Sequence, residues 1–147
     1  MHVPAHERPI SLLGPSPLLF PDASVHANIA FGPRLADGST PQADAEARRR
    51  LRDLDLGSVA ERRLGDLAPS LSLRVALARV LAAGHDVLVL DAPFDAVGGI
   101  EARRARRPLR PLLWDRITVL LTTDRNEATD LADRMVVLDA GRLVDEQ

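Results

Sequence analysis

A short, continuous apolar strand constrains the fold of this chain more than any other feature. Val87-Leu88-Val89-Leu90 contains no alternating polar residue and ends at Asp91. Strands that are apolar at every position are typical of parallel sheets, which are covered on both faces. The residues before it predict a helix that Ser72 caps and Gly84 stops. A helix, a turn and an all-apolar strand in this order predict a parallel α/β sheet.

The other predicted elements are a mixture of helices and strands. Apolar spacing and cap residues predict the helices, and short apolar runs between turn residues predict the strands. Pro108 and Pro111 should cut a helix that extends from Glu101 to Arg107, because an interior proline costs about 3 kcal/mol. The remaining elements are a strand at 9–13, a helix from Ser24 to Phe31 ended by Gly32-Pro33, a helix begun by Thr40-Pro41, a short helix at Ser58, a strand from Ile117 to Leu121, a helix from Asn126 to Met135, and a hairpin at 136–144 that turns at Asp139-Ala140-Gly141-Arg142.

The domain organisation follows from length and from this order of elements. A chain of 147 residues suits one domain with a real core. We expect a flexible N-terminus at 1–9 and one domain at 10–147, with a helical part at 34–83 and a sheet part at 84–147. No apolar run approaches the roughly 20 residues that span a bilayer, and no signal peptide is evident. We therefore expect a cytoplasmic protein with no direct membrane insertion.

Composition disfavours several classes of function. Aromatic residues are only 3% of the chain, tyrosine is absent and the net charge is −2, so nucleic acid is not an expected partner. The chain has no cysteine, which excludes disulfides and thiolate metal sites. The arginine cluster between 103 and 110 keeps an Arg-dependent nucleic-acid binder open as a weak alternative, although a solvated helix face explains it better.

Four stretches, at 18–32, 74–81, 86–94 and 119–138, carry a more specific signal when they are taken together and in order. As a set they resemble the ATP-binding domain of ABC transporters, and the importer subunits for small solutes look closest. The resemblance implies an α/β fold with a partial P-loop NTPase-like (ABC ATPase) parallel sheet and helices. The strand and Gly-rich loop that the family calls Walker A have no counterpart in the chain.

Asp91 holds the Walker B position in this resemblance. In the family this carboxylate serves Mg²⁺ and ATP, so these cofactors are implied here by resemblance alone. Mg²⁺ usually retains several coordinated waters and is also bound by oxygens of the substrate, so a single carboxylate binds it poorly. We expect no cofactor, and we favour a strand-end residue that caps the next turn over a metal ligand.

The other chemical positions of the family are replaced. Nineteen basic residues are all arginine, so the chain holds no phosphate-binding lysine. Ala92 stands where the family has the catalytic glutamate, and Thr123 stands where it has the switch histidine. The full set of degenerate positions is Gly14 (Q-loop), Ala68, Pro69 and Ser70 (signature motif), Ala92, Gly98 (D-loop) and Thr123. With these substitutions we expect no ATP hydrolysis by the chain itself.

An apolar loop remains as a candidate docking site. In the resemblance, Leu18, Leu19, Phe20 and Ile29 lie where the family receives a membrane permease subunit, although plain core packing explains them equally well. The first hypothesis is a non-hydrolysing scaffold that docks a permease or an intact ATP-binding subunit, peripheral to the inner face of the membrane. The alternative is the C-terminal part of a split ATPase that binds ATP with a second chain.

The Walker A strand of the family has no counterpart here, and this affects the predicted sheet. In the family it lies inside the sheet, so the strands at 87–90 and 117–121 must pair directly here or leave a gap. An open interior edge is an aggregation risk. We expect marginal stability or dependence on a partner chain.

Overall fold

The computed structural model describes residues 3–4, 7–37 and 40–146, so the predicted flexible N-terminus lies partly outside the described residues. One strand and three helices form the first half of the described chain, and in the second half helices separate successive strands until a final hairpin. In chain order the elements are β1 (Ile10–Leu13), α1 (Val25–Asp37), α2 (Thr40–Asp53), two 3₁₀ turns (Gly57–Val59 and Leu64–Asp66), α3 (Pro69–Ala82), β2 (Val87–Asp91), α4 (Gly99–Arg106), α5 (Leu109–Leu113), β3 (Ile117–Leu121), α6 (Arg125–Leu131), β4 (Val136–Asp139) and β5 (Arg142–Glu146).

Helix α3 lies at the centre of the core. Four consecutive residues, Val75 to Ala78, are each at most 1% exposed, so the helix is covered on all sides there. Helices α1 and α2 pack on α3 and on each other, and α3 also contacts β1 and α4. The core therefore lies between the helices and one face of the sheet.

The sheet has three parallel strands in the order β1-β2-β3, which confirms the predicted α/β class. Strand β2 pairs directly with β3, with Val87 beside Ile117 and Asp91 beside Leu121. The expected direct pairing is therefore present, and no gap separates these two strands. Strands β4 and β5 form a separate antiparallel hairpin.

Only one face of the parallel sheet is covered. Leu88 and Leu90 of β2 face the core and are at most 1% exposed. On the opposite face, Leu12 of β1 is 65% exposed and Ile117 of β3 is 67% exposed. Val87 and Val89 of β2 lie on this second face and are half-buried, so within the described residues the face is less covered than is usual for a parallel sheet.

Helix α1 continues past the predicted stop at Gly32-Pro33 and ends at Asp37. Gly32 lies against the end of α3, where an added Cβ would be 3.3 Å from both Cα and Cβ of Ala83. The glycine therefore permits close helix packing and does not end the helix. Packing against α2 and α3 holds α1 together although Pro33 lacks a backbone N–H.

Other predicted boundaries also shift. Helix α3 begins at Pro69, so Ser72 lies inside it and is not its cap. A 3₁₀ turn replaces the short helix predicted at Ser58. Helix α6 ends at Leu131 and does not extend to Met135.

The two prolines behave differently from each other. Helix α4 ends before Pro108, as predicted, and α5 begins after it. Pro111 does not break α5, because it lies in the first turn, where backbone N–H groups have no helical partner. The predicted hairpin is confirmed, and its turn residues Ala140 and Gly141 have φ angles of +46° and +77°.

None of the helices in the described ranges is long and apolar enough to cross a membrane.

Candidate functional site at the carboxyl edge of the sheet

Parallel strands bring several predicted positions to one edge. Leu13 lies beside Leu90, and Asp91 lies beside Leu121, so the residues that follow β1, β2 and β3 begin at the same level. Gly14, Ala92 and Thr123 follow these three strand ends. In open α/β sheets this carboxyl edge is where ligands bind.

The Asp91–Ala92 step has an unusual backbone. Ala92 has φ +46°, which an L-residue with a Cβ adopts at a cost of about 1–2 kcal/mol. Its N–H donates to the Leu121 carbonyl at 2.9 Å, and its carbonyl accepts from the Asp95 N–H at 3.3 Å. Backbone groups therefore close the turn after β2. The Asp91 side chain forms no hydrogen bond or ion pair with the described residues, so they give no support for the predicted capping role.

A buried polar network lies next to this edge. The Arg106 guanidinium donates from NH1 to Glu127 Oε1 at 3.2 Å and from Nε to Asp130 Oδ2 at 3.1 Å. Thr122 donates its hydroxyl to Glu127 Oε2 at 2.6 Å, and the Asp124 N–H donates to Thr122 Oγ1 at 3.0 Å. The network ties α4 and α6 to the end of β3.

Sequence reasoning missed this network. It assigned Arg106 to a solvated helix face, whereas the Arg106 side chain is only 5% exposed and its guanidinium lies 5.7 Å from the centre of the Phe94 ring. The signal that could have found it is Asp124, whose carboxylate caps α6 by accepting from the Asn126 N–H. A cap there places Glu127 in the first turn, where it points back toward Thr122.

The remaining degenerate positions are dispersed. Thr123 is exposed beyond β3. Gly98 precedes α4 and lines an open cleft together with Phe94, Arg106 and Glu127. Ala68, Pro69 and Ser70 begin α3, where Pro69 is the first helical residue and contributes no N–H. Across the described ranges, no cluster of three or more His, Asp or Glu side chains could hold a metal ion.

The predicted docking residues divide into exposed and buried ones. Leu18 is 85% exposed and Phe20 is 39% exposed, and Phe31 of α1 joins them at 39%. Leu19 is half-buried against the core, and Ile29 is fully buried. Ile29 therefore packs in the core and contributes nothing to the exposed surface. We call the surface formed by Leu18, Phe20 and Phe31 the loop patch.

Asn28 fixes the backbone of the loop patch. This side chain is fully buried, accepts from the Phe20 N–H at 2.9 Å and donates to the Phe20 carbonyl at 3.0 Å. A second donation, to the Ser24 carbonyl, is 3.0 Å long. The amide thus satisfies both backbone groups of Phe20 from inside the protein.

Arg79 of α3 contacts both the backbone and the aromatic rings of the loop patch. Its NH1 donates to the Leu18 carbonyl at 2.7 Å, and its guanidinium lies 5.1 Å and 5.7 Å from the ring centres of Phe20 and Phe31. The two rings meet edge to face at 4.8 Å. Burial lowers the pKa of the Arg79 guanidinium, which nevertheless stays charged at neutral pH. Neither Asn28 nor Arg79 was singled out from sequence.

The arginines between 103 and 110 are largely neutralised. Arg104 pairs with Glu101 at 2.9 Å, and Arg110 pairs with Asp133 at 3.2 Å. Arg106 belongs to the buried network. Arg103 and Arg107, the other two arginines of the cluster, are exposed.

No family model matches the chain, but known proteins do. It is 36% identical over 99% of its length to the molybdenum import ATP-binding protein ModC of Mycobacterium tuberculosis. It is 38% identical over 97% of its length to the sulfate/thiosulfate import ATP-binding protein CysA of Methylococcus capsulatus. It is also 38% identical over 96% of its length to the Fe(3+) ions import ATP-binding protein FbpC of Streptomyces coelicolor. The chain belongs with the ATP-binding subunits of ABC importers.

The chain spans less than half the length of these relatives. The matches cover 41%, 42% and 41% of the three proteins named above. The solutes in their names differ, so the similarity favours no single solute. That the carboxyl edge corresponds to the Walker B and switch segments, and the loop patch to the segment after the Q-loop, stays a prediction from the resemblance.

Proposed function

We propose that this chain is a docking module of an ABC importer, which binds a membrane permease subunit or an intact ATP-binding subunit at the inner face of the membrane and does not itself hydrolyse ATP. The main support for the proposal is the exposure and the fixed backbone of the loop patch. Three apolar side chains are exposed there on a backbone that Asn28 and Arg79 hold in place.

The loop patch has the properties of a prepared binding surface. Exposed aromatic and aliphatic groups gain from burial, and a backbone that is already ordered loses little entropy when a partner binds. The Arg79 guanidinium beneath the rings adds polar anchoring without a carboxylate partner in the described residues. An apolar helix of a permease is a suitable occupant.

The chemistry at the carboxyl edge supports the absence of hydrolysis. Ala92 offers a methyl group where a carboxylate would orient water, and Thr123 offers a hydroxyl where an imidazole would contact the γ-phosphate. No lysine exists in the 147 residues to neutralise phosphates. The residues present therefore do not fit the hydrolysis of Mg-ATP.

A split ATPase is the second candidate. The outer edge of β3 is unpaired in the described residues, which leaves room for a strand from another chain. Such a chain could bring phosphate-binding groups, but it would change neither Ala92 nor Thr123. We therefore expect nucleotide binding at most from this assembly. An Arg-dependent nucleic-acid binder is not favoured, because Arg104, Arg106 and Arg110 are paired.

Thermal unfolding with and without Mg-ATP, together with a phosphate-release assay, tests the proposal that the chain does not itself hydrolyse ATP. We expect a midpoint that ATP does not change, since a ligand that binds only the native state would raise it. A raised midpoint, or phosphate release above that of a boiled control, would contradict the proposal.

Pull-down with detergent-solubilised permeases of molybdenum, sulfate and ferric-iron importers tests the proposed docking. Leu18→Asp should abolish capture. Trp114→Asp is the matched control and should not, because Trp114 is about as exposed (81%) but lies at the end of α5 and is not part of the loop patch. Equal loss with both variants, or capture that Leu18→Asp leaves intact, would refute docking through the loop patch.

A further inference from the structure

We draw no further inference here: the strongest candidate, the open cleft between the carboxyl-terminal ends of α2 and α4 that Arg74, Arg104 and Arg107 line, carries none, because Arg74 and Arg104 already have partners within the chain and nothing in the described residues shows which ligand would occupy it.

Discussion

The Arg106 guanidinium donates to the Glu127 carboxylate across 3.2 Å, and the two side chains are only 5% and 6% exposed. This buried pair connects α4 to α6 beside the end of β3. Because an unpaired charge is costly in a low-dielectric interior, each partner depends on the other more than an exposed pair would. The pair therefore joins two helices at the carboxyl edge of the sheet.

Glu127→Ala should lower the free energy of unfolding by about 3 kcal/mol, because it leaves the buried Arg106 with Asp130 alone. Urea unfolding measures the change. The control is Glu101→Ala, which removes an exposed pair with Arg104 and should cost less than about 1 kcal/mol. The double change Arg106→Met with Glu127→Leu should be less destabilising than Glu127→Ala. Equal costs for the two single variants would contradict the structural role assigned to the pair.

Arg79→Met should lower the free energy of unfolding by about 1–2 kcal/mol, since it keeps an apolar stem and removes the bond to the Leu18 carbonyl and the ring contacts. Limited proteolysis should show faster cleavage between Gly14 and Ser24. Arg107→Met, at an exposed position after α4, is the matched control. Unchanged cleavage would mean that Asn28 alone orders the loop.

Ala92→Gly should raise the free energy of unfolding by about 1 kcal/mol, because glycine adopts φ +46° without the Cβ penalty. The same substitution in an ordinary helical position should have the opposite sign. Ala45→Gly, exposed in α2, should lower stability by about 1 kcal/mol. A destabilising Ala92→Gly would show that the left-handed backbone at Ala92 is not strained.

Gly84→Ala should lower the free energy of unfolding by about 1–2 kcal/mol. Gly84 has φ +72° in the turn between α3 and β2, and an added Cβ would meet no atom within 4 Å, so the cost is conformational alone. Gly57→Ala also points into open space but lacks a positive φ, and it should be near neutral. Because neither added Cβ meets another atom, chemical denaturation of the two variants in parallel isolates the cost of the left-handed backbone at Gly84, and equal costs for the two would contradict this explanation.

Much of the fold could be predicted from local patterns. The all-apolar run of β2, the apolar run of β3 and the Ala140-Gly141 turn each indicated their element, since period and turn chemistry are properties of neighbouring residues. The class of the sheet followed from the order of these elements. Helix boundaries were less predictable. Gly32-Pro33 carries a strong stop signal, yet close packing of Gly32 on Ala83 keeps α1 helical.

The candidate sites show the same division. Asp91, Ala92 and Thr123 could be predicted to lie at the carboxyl edge, because each lies at or just after the end of a recognisable strand. The Arg106–Glu127 pair and the Asn28 and Arg79 contacts could not be placed, because the partners are separated by 21, 8 and 61 residues in sequence. No local pattern encodes which distant side chains will meet.

The sequence by itself determined the α/β class and the parallel strands, since residue identity and short-range spacing are sufficient for these. Only the tertiary structure decided that Ile29 is core and Phe31 is surface, that Arg106 is buried and paired, and that β3 and β4 present open edges. Burial and edge pairing depend on which elements pack together. They are therefore properties of the assembled chain and not of any segment.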